Sequence, residues 1–269
     1  MKQIYLTDTQ AIGYYGKKAS PEFWDKHWKI DDLRKRILSC KWDGIFFPPL
    51  KRYLKSGSWI LEGGCGRGRL VNALQFQGYN GIGIDFAKKT VSQANKAVPE
   101  LDIRLGDVRN LSFDDNRFDG YISGGVIEHF WEGYEQIIME MNRVIRAEGY
   151  LFLSFPYLSP IRMIKAKLRV YSHSFTFEME ENKESFYQFA LNYNNVIKDL
   201  NKFDFKLIDV IFFDGIKGFK DELPLLKPLM QRIHDREIFS SYRPYIDQIL
   251  KYFSSHCSLL IMQKLPNKK

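Results

Sequence analysis

The sequence predicts an α/β fold built on a mostly parallel sheet with helices on both faces, and three observations point to it. From Ser58 onward, short apolar runs alternate with amphipathic stretches, as strand–helix units feeding a parallel sheet do. A turn with alternate glycines, Gly64-Cys65-Gly66-Arg67-Gly68, joins the first such run to the first such stretch. The 269 residues are 45% hydrophobic and 27% charged, enough to bury a sizeable core and far from a disordered composition. That length suits one large domain with additions or two small ones.

Taken in order, residues 1–57 are aromatic and basic, and are expected to form a helical N-terminal cap that ends at the Pro48-Pro49 break. Residues 58–269 form the main domain. Apolar runs predict strands at Trp59–Glu62, Gly81–Asp85, Asp102–Leu105, Phe118–Ser123 and Tyr150–Phe155, with Phe203–Phe213 and Ser258–Lys264 bringing the sheet to seven. Helical periodicity predicts Arg69–Gln77, Phe86–Ala97 and Glu132–Ile145. Two stretches break this rhythm and are expected as cap insertions, 156–183 and the largely helical 214–256. Long excursions at strand ends usually build the substrate side of an α/β enzyme.

Cys40, Cys65 and Cys257 lie far apart, which excludes a disulfide scaffold or zinc ribbon and fits a reducing compartment. No run approaches 18 apolar residues and the N-terminus lacks a signal-type apolar core, so a cytoplasmic protein without a transmembrane segment is expected. Charge is uneven: residues 1–57 carry +6, 58–155 carry −3 and 156–269 carry +5. Basic flanks around a mildly acidic middle suit an anionic partner at the flanks and a neutral or cationic ligand at the centre, or they are simply solvated lysine faces. The run Ile161–Tyr171 holds Arg162, Lys165, Lys167 and Arg169 with no acid, and reads as a helix on an anionic membrane surface or one beside an anionic substrate.

The glycine turn carries the strongest chemical signal. Alternate glycines let a ligand approach the main chain, and the next helix N-terminus offers free N–H groups. A nicotinamide site would place a third glycine where Arg69 stands, and would not put an acid, Glu62, where a pyrophosphate must sit. A carboxylate there suits an ammonium or sulfonium. No metal-ligand cluster is evident.

These residues resemble the class I S-adenosylmethionine-dependent methyltransferases. Their first motif, an acid followed by three alternate glycines, matches Glu62, Gly64, Gly66 and Gly68. Asp85 ends the next strand, where the family's acid holds the ribose, and Asp107-Val108 follow the third, where the family reads the adenine. Phe118–Ser123 matches the fourth strand, with Ser123 at the cofactor, and Val126-Ile127-Glu128-His129 matches a run common among small-molecule members. The resemblance implies a Rossmann-like seven-stranded fold, S-adenosyl-L-methionine as cofactor and methyl transfer by in-line displacement. His129 and Glu128 are the candidate bases. Departures are Gly63, where an aliphatic residue is usual and a slightly looser loop is expected, and Ala147-Glu148-Gly149 in place of Pro-Gly-Gly.

The acceptor is expected to be an oxygen, or next a nitrogen, of a small molecule, sugar or lipid-like compound. It is expected to be anionic or membrane-associated, with the protein cytoplasmic or peripheral at a membrane. The exocyclic-amine motif of nucleobase enzymes is missing after the fourth strand, and no RNA-binding module is visible. RNA methylation and cofactor binding without catalysis stay as alternatives, with a nicotinamide oxidoreductase behind them. Tyr14, Tyr15, Phe23, Trp24 and Trp28 either pack on the sheet or cover the cofactor, and His27, His173, His234 and His256 are placed by nothing in the sequence.

Overall fold

The computed structural model describes residues 1–27, 32–174, 183–226, 228 and 242–266. Strands run at Lys2–Leu6 (β1), Ala11–Tyr15 (β2), Trp59–Gly63 (β3), Asn80–Asp85 (β4), Asp102–Leu105 (β5) and Phe118–Gly124 (β6). Ile145–Pro156 (β7), Ser172–Ser174 (β8), Phe186–Ala190 (β9), Phe205–Phe213 (β10) and Cys257–Lys264 (β11) follow. Helices are Pro21–His27 (α1), Leu33–Leu38 (α2), Phe47–Tyr53 (α3), Arg69–Phe76 (α4) and Lys88–Ala97 (α5). Later come Glu135–Val144 (α6), Pro160–Lys167 (α7), Tyr193–Lys202 (α8), Gly215–Glu222 (α9) and Arg243–Ser254 (α10). The chain divides into two compact units, one of residues 1–17, 155–196 and 210–259, the other of residues 18–154, 197–209 and 260–269.

The seven-stranded sheet has the order β10-β11-β7-β6-β3-β4-β5. Its β4–β3–β6–β7 centre and the β4–β5 pair are parallel. All seven strands and the three helices expected between them are present, each within a few residues of its expected ends. In the larger unit Ile37, Val71, Val91, Ala94, Val98 and Ile103 close a core between α2, α4, α5 and β5. Asp119 clips the sheet, its carboxylate accepting from the Trp59 N–H at 2.8 Å and from Arg146 at 2.6 Å. Pro48 and Pro49 do not end a helix. They sit in the first turn of α3, where no intrahelical N–H is needed and the fixed φ favours initiation.

Residues 1–17 depart from the expected helical cap. They form a hairpin, with Lys2 opposite Tyr15 and Leu6 opposite Ala11. β8 adds parallel to β1 and β9 antiparallel to β2, giving a separate sheet of order β8-β1-β2-β9. Every residue of Ala11–Tyr15 is buried, and burial on both faces rewards the β-branched and aromatic residues there. Behind this sheet Ile12, Tyr14, Leu158, Ala166, Tyr171 and Ala190 pack together.

The basic run on α7 also departs from a fully solvated helix. Arg162 is 1% exposed and pairs with the equally buried Glu222 of α9 at 2.8 Å. The same carboxylate accepts from Lys165 at 2.7 Å and from the Tyr171 hydroxyl at 2.6 Å. Arg162 further donates to the Tyr157 carbonyl at 2.7 Å. Of the four cations Arg162 is therefore internal and Lys165 half-buried, each satisfied by hydrogen bonds, as burial of a charge requires. Lys167 and Arg169 alone remain exposed.

Candidate functional site

The site lies in the larger unit, at the carboxyl ends of β3, β4, β5 and β6. After β3 the chain turns through Gly64, Gly66 and Gly68, with φ of 77°, 53° and 73°, a region that suits glycine. The Gly64 and Cys65 N–H groups both donate to the Ile84 carbonyl, which ties the loop to β4. A Cβ on Gly64 would stand 2.4 Å from Val126 Cγ2, and one on Gly68 would stand 2.1 Å from Ile103 Cδ1. Glycine at 68 lets α4 approach β5, while glycine at 64 lets the 126–130 turn approach the loop. At Gly63 the expected loosening does not occur. Tyr121 fills the volume a side chain would take, its hydroxyl 2.0 Å from where that Cβ would be.

Two carboxylates follow. Asp85 closes β4, 7% exposed, and accepts from the Gly66 N–H at 2.8 Å and the Ala87 N–H at 2.9 Å. Burial pushes its carboxyl above the usual range, against the pull of those hydrogen bonds. Each of its oxygens keeps a second lone pair. Asp107 lies two residues past β5, and hydrogen bonds from Arg109 hold its carboxyl below the usual range. That pair is bidentate, at 2.6 and 3.0 Å, and the Arg109 guanidinium also stacks 5.2 Å from the Phe130 ring.

Over these acids lies α1. Ser20 accepts from the Phe23 N–H at 3.2 Å, and Asp25 accepts from the backbone N–H and hydroxyl of Thr90 at 2.8 and 3.0 Å, pinning α1 to the start of α5. Trp24 thereby meets the His129 ring edge-on, centroids 5.1 Å apart.

A cleft partly open to solvent joins these parts. Gly64, Gly66, Asp85, Asp107, Val108 and His129 line it, as do Trp24, Phe86, Arg109 and Phe130. Four expected site residues are not among those that line it. Gly68 caps α4, Ser123 is fully buried, and Glu128 is 2% exposed on the inner side of the short turn Ile127–His129. Burial pushes the Glu128 carboxyl up to about 8. Glu62, half-buried on β3, has its Oε2 buried with no partner among the described residues, and burial, then nearby Asp85, raises its carboxyl well above normal against a hydrogen bond from the Val71 backbone.

Arg109, Phe86 and Phe130 were not singled out by sequence reasoning. Arg109 and Phe130 carry no motif signal, whereas Phe86 directly follows Asp85 and was legible as its neighbour. Tyr14 and Tyr15 belong to β2 in the other unit, where His173 meets the Ala166 carbonyl at 2.8 Å. His256 is held neutral there, burial and then Arg162 pushing it down to about 3. The side chain of His27, Trp28 and His234 lie outside the described residues.

The residues fit a nucleoside with a cationic tail. The loop rejects any Cβ at Gly64, Asp85 has lone pairs left for hydroxyl donors, and Glu62, with one carboxyl oxygen unpartnered among the described residues, is the sort of group that a nearby ammonium or sulfonium would return to its charged form. Among the described residues no group of three His, Cys, Asp or Glu could hold a metal ion, and no helix is long and apolar enough to cross a membrane.

Residues 61–153 match the family profile described as "Methyltransferase domain". A probable S-adenosylmethionine-dependent methyltransferase of Mycolicibacterium smegmatis is 33% identical over 101 residues, 38% of this chain and 39% of that protein. A phthiotriol/phenolphthiotriol dimycocerosates methyltransferase of Mycobacterium tuberculosis is 31% identical over 105 residues, 38% of this chain and 37% of that one. The chain thus spans under two fifths of these relatives' length. Among solved structures, an S-adenosylmethionine-dependent methyltransferase from Methanosarcina mazei superposes with a TM-score of 0.56 at 18% identity, covering 82% of this chain and 99% of that one. A putative sarcosine dimethylglycine methyltransferase from Galdieria sulphuraria gives 0.51 at 10% identity, covering 82% of each. Residues 61–153 thus resemble a methyltransferase domain, and the fold is that of S-adenosylmethionine-dependent methyltransferases of known structure.

Proposed function

We propose that this chain is an S-adenosylmethionine-dependent methyltransferase that methylates an oxygen, or failing that a nitrogen, of a lipid-like small molecule. The observation that carries the reading is the convergence of Gly64, Gly66, Asp85, Asp107, Val108 and His129 on one cleft. The relatives whose names specify phthiotriol and phenolphthiotriol dimycocerosates support a lipid-like acceptor. When bound, the cofactor would supply a sulfonium methyl whose carbon an acceptor lone pair attacks in line, the carbon–sulfur bond breaking as the neutral thioether S-adenosylhomocysteine leaves.

Asp85 takes the ribose hydroxyls on its remaining lone pairs, and Val108 with Asp107 frames the adenine. Glu62 balances the cationic tail from behind the loop. Trp24 and Phe130 keep water from the reacting atoms, so that proximity and orientation supply most of the rate. His129 faces the cleft and takes the proton that an oxygen acceptor releases. Glu128, buried behind the wall, positions the turn that presents His129 and does not itself accept that proton.

Calorimetric titration with S-adenosylmethionine, S-adenosylhomocysteine and NADH tests the reading. Saturable binding of both sulfur ligands and none of NADH is expected, with Asp85→Ala and Gly66→Val abolishing it in cooperatively folded protein. Normal binding by both variants would overturn the site. Cofactor binding with no transfer to any hydroxylated lipid, but with transfer to tRNA, would move the acceptor to RNA.

A further inference from the structure

The smaller unit leaves an apolar helix face uncovered. On α10, Tyr245, Ile249, Tyr252 and Phe253 fall on one face at helical spacing, and the first three are 72%, 75% and 66% exposed. The opposite face is tightly seated, since Gly215 and Gly218 of α9 lie so close that a Cβ on Gly218 would meet the Ser254 carbonyl at 1.7 Å. The adjoining α7 repeats the pattern: Ile164 and Leu168 are 46% and 71% exposed, while Arg162 and Lys165 turn inward to Glu222. Apolar side chains turned to solvent on two neighbouring helices exceed the scattered exposure of an ordinary surface.

We infer that this face docks on an anionic lipid bilayer, with α10 and α7 resting in the interface. Charge selects this occupant. The cations left outside on and just after α7 are Lys167 and Arg169, and Ile161–Tyr171 contains no acid to repel lipid phosphate. Composition agrees, because two of the four stripe residues on α10 are tyrosines, whose rings, apolar with a polar tip, suit the headgroup level. Lys251 lies over the Tyr252 ring at 5.0 Å, placing another cation beside the stripe. The pairing of Arg162 and Lys165 with Glu222 sharpens the amphipathic character, for it buries one charge, draws the other partly inward and leaves the apolar residues outermost. This inference deepens the lipid-acceptor reading above and rests on it.

Flotation of the full chain with phosphatidylcholine vesicles, and with vesicles carrying 30% phosphatidylglycerol, tests it without cofactor or acceptor. Binding is expected only with the anionic vesicles, weakening as salt rises. Lys167→Gln with Arg169→Gln should lower the partition coefficient about 25-fold, at about fivefold per cation. Ile249→Glu with Leu168→Glu should abolish flotation while leaving S-adenosylhomocysteine affinity unchanged. No flotation on anionic vesicles, or flotation indifferent to Ile249→Glu and Leu168→Glu, would overturn the proposal. So would a stable dimer that Ile249→Glu dissociates, since a second copy would then own the face. Because the readout is partition and not methyl transfer, its failure leaves the cofactor titration above standing, and failure of that titration leaves vesicle binding measurable.

Discussion

Glu222→Gln is the most informative perturbation of stability. Glu222 is 3% exposed, and its carboxylate accepts from Arg162 at 2.8 Å, Lys165 at 2.7 Å and Tyr171 at 2.6 Å. The amide keeps one acceptor oxygen but turns an NH2 toward donors, and it leaves the 1%-exposed Arg162 guanidinium without its counter-charge. Removing one member of a buried pair costs about 3–5 kcal/mol. Arg162→Met with Glu222→Leu removes both charges and should recover most of that loss, since apolar replacement of a whole buried pair is often neutral. The pH dependence follows with a definite sign. Burial pushes the Glu222 carboxyl up, but Arg162 and the hydrogen bonds from Arg162, Lys165 and Tyr171 outweigh it and hold it below the normal value. A depressed carboxyl contributes stability that is complete above the unfolded value of about 4.3 and lost as pH falls through the folded one. Wild type should therefore lose this increment below about pH 4, whereas Glu222→Gln should show no such loss. Urea unfolding at pH 7 and pH 3.5, followed by circular dichroism, reads both effects. A destabilisation under about 1 kcal/mol at pH 7, or an identical acid loss in the variant, would refute the argument that this pair is an internal staple.

Other expectations concern the cleft and its surroundings. His129→Gln should lower kcat about 10²–10⁴-fold with cofactor affinity kept, and single-turnover transfer to a hydroxyl acceptor reads it. Asp85→Asn should weaken S-adenosylhomocysteine binding by about 1–3 kcal/mol, measured by calorimetry, because an amide replaces a carboxylate as hydroxyl acceptor. Burial pushes Glu128 to about 8, so its folded value stands above its unfolded one. Stability should fall between about pH 4.5 and 8 by at most about 1.4 kcal/mol per pH unit, and Glu128→Gln should flatten that slope in thermal melts. Glu148 has φ of 62°, so Glu148→Gly should stabilise by about 1 kcal/mol, read from the urea midpoint.

Some elements were legible because their signal is local. The strand–helix alternation after Ser58 needs only neighbours in sequence, since period and burial coincide for a strand covered on both faces. The hairpin Lys2–Tyr15 departs from the helical expectation: two runs of strand formers flank the polar Thr7-Asp8-Thr9-Gln10, but each is only five residues long, and aromatic and basic composition does not distinguish strand from helix. β9 and α8 lay in a stretch given no assignment, and β9 is a strand through its pairing with β2, a partner about 175 residues away along the chain.

By itself the sequence determined the strand–loop–helix unit around Gly64, Gly66 and Gly68, the acids at the ends of the next two strands and the position of His129, because each is set by chain direction and spacing. Tertiary structure alone decided which of these face the cleft. His129 and Glu128 are adjacent, yet a short helical turn sends one toward the cleft and the other into the core, and only burial tells them apart. The same holds for the four cations of Ile161–Tyr171, equivalent as letters. Glu222, some 60 residues on, draws two of them inward and leaves two outside, since a charge is buried only where a distant carboxylate comes within hydrogen-bond reach.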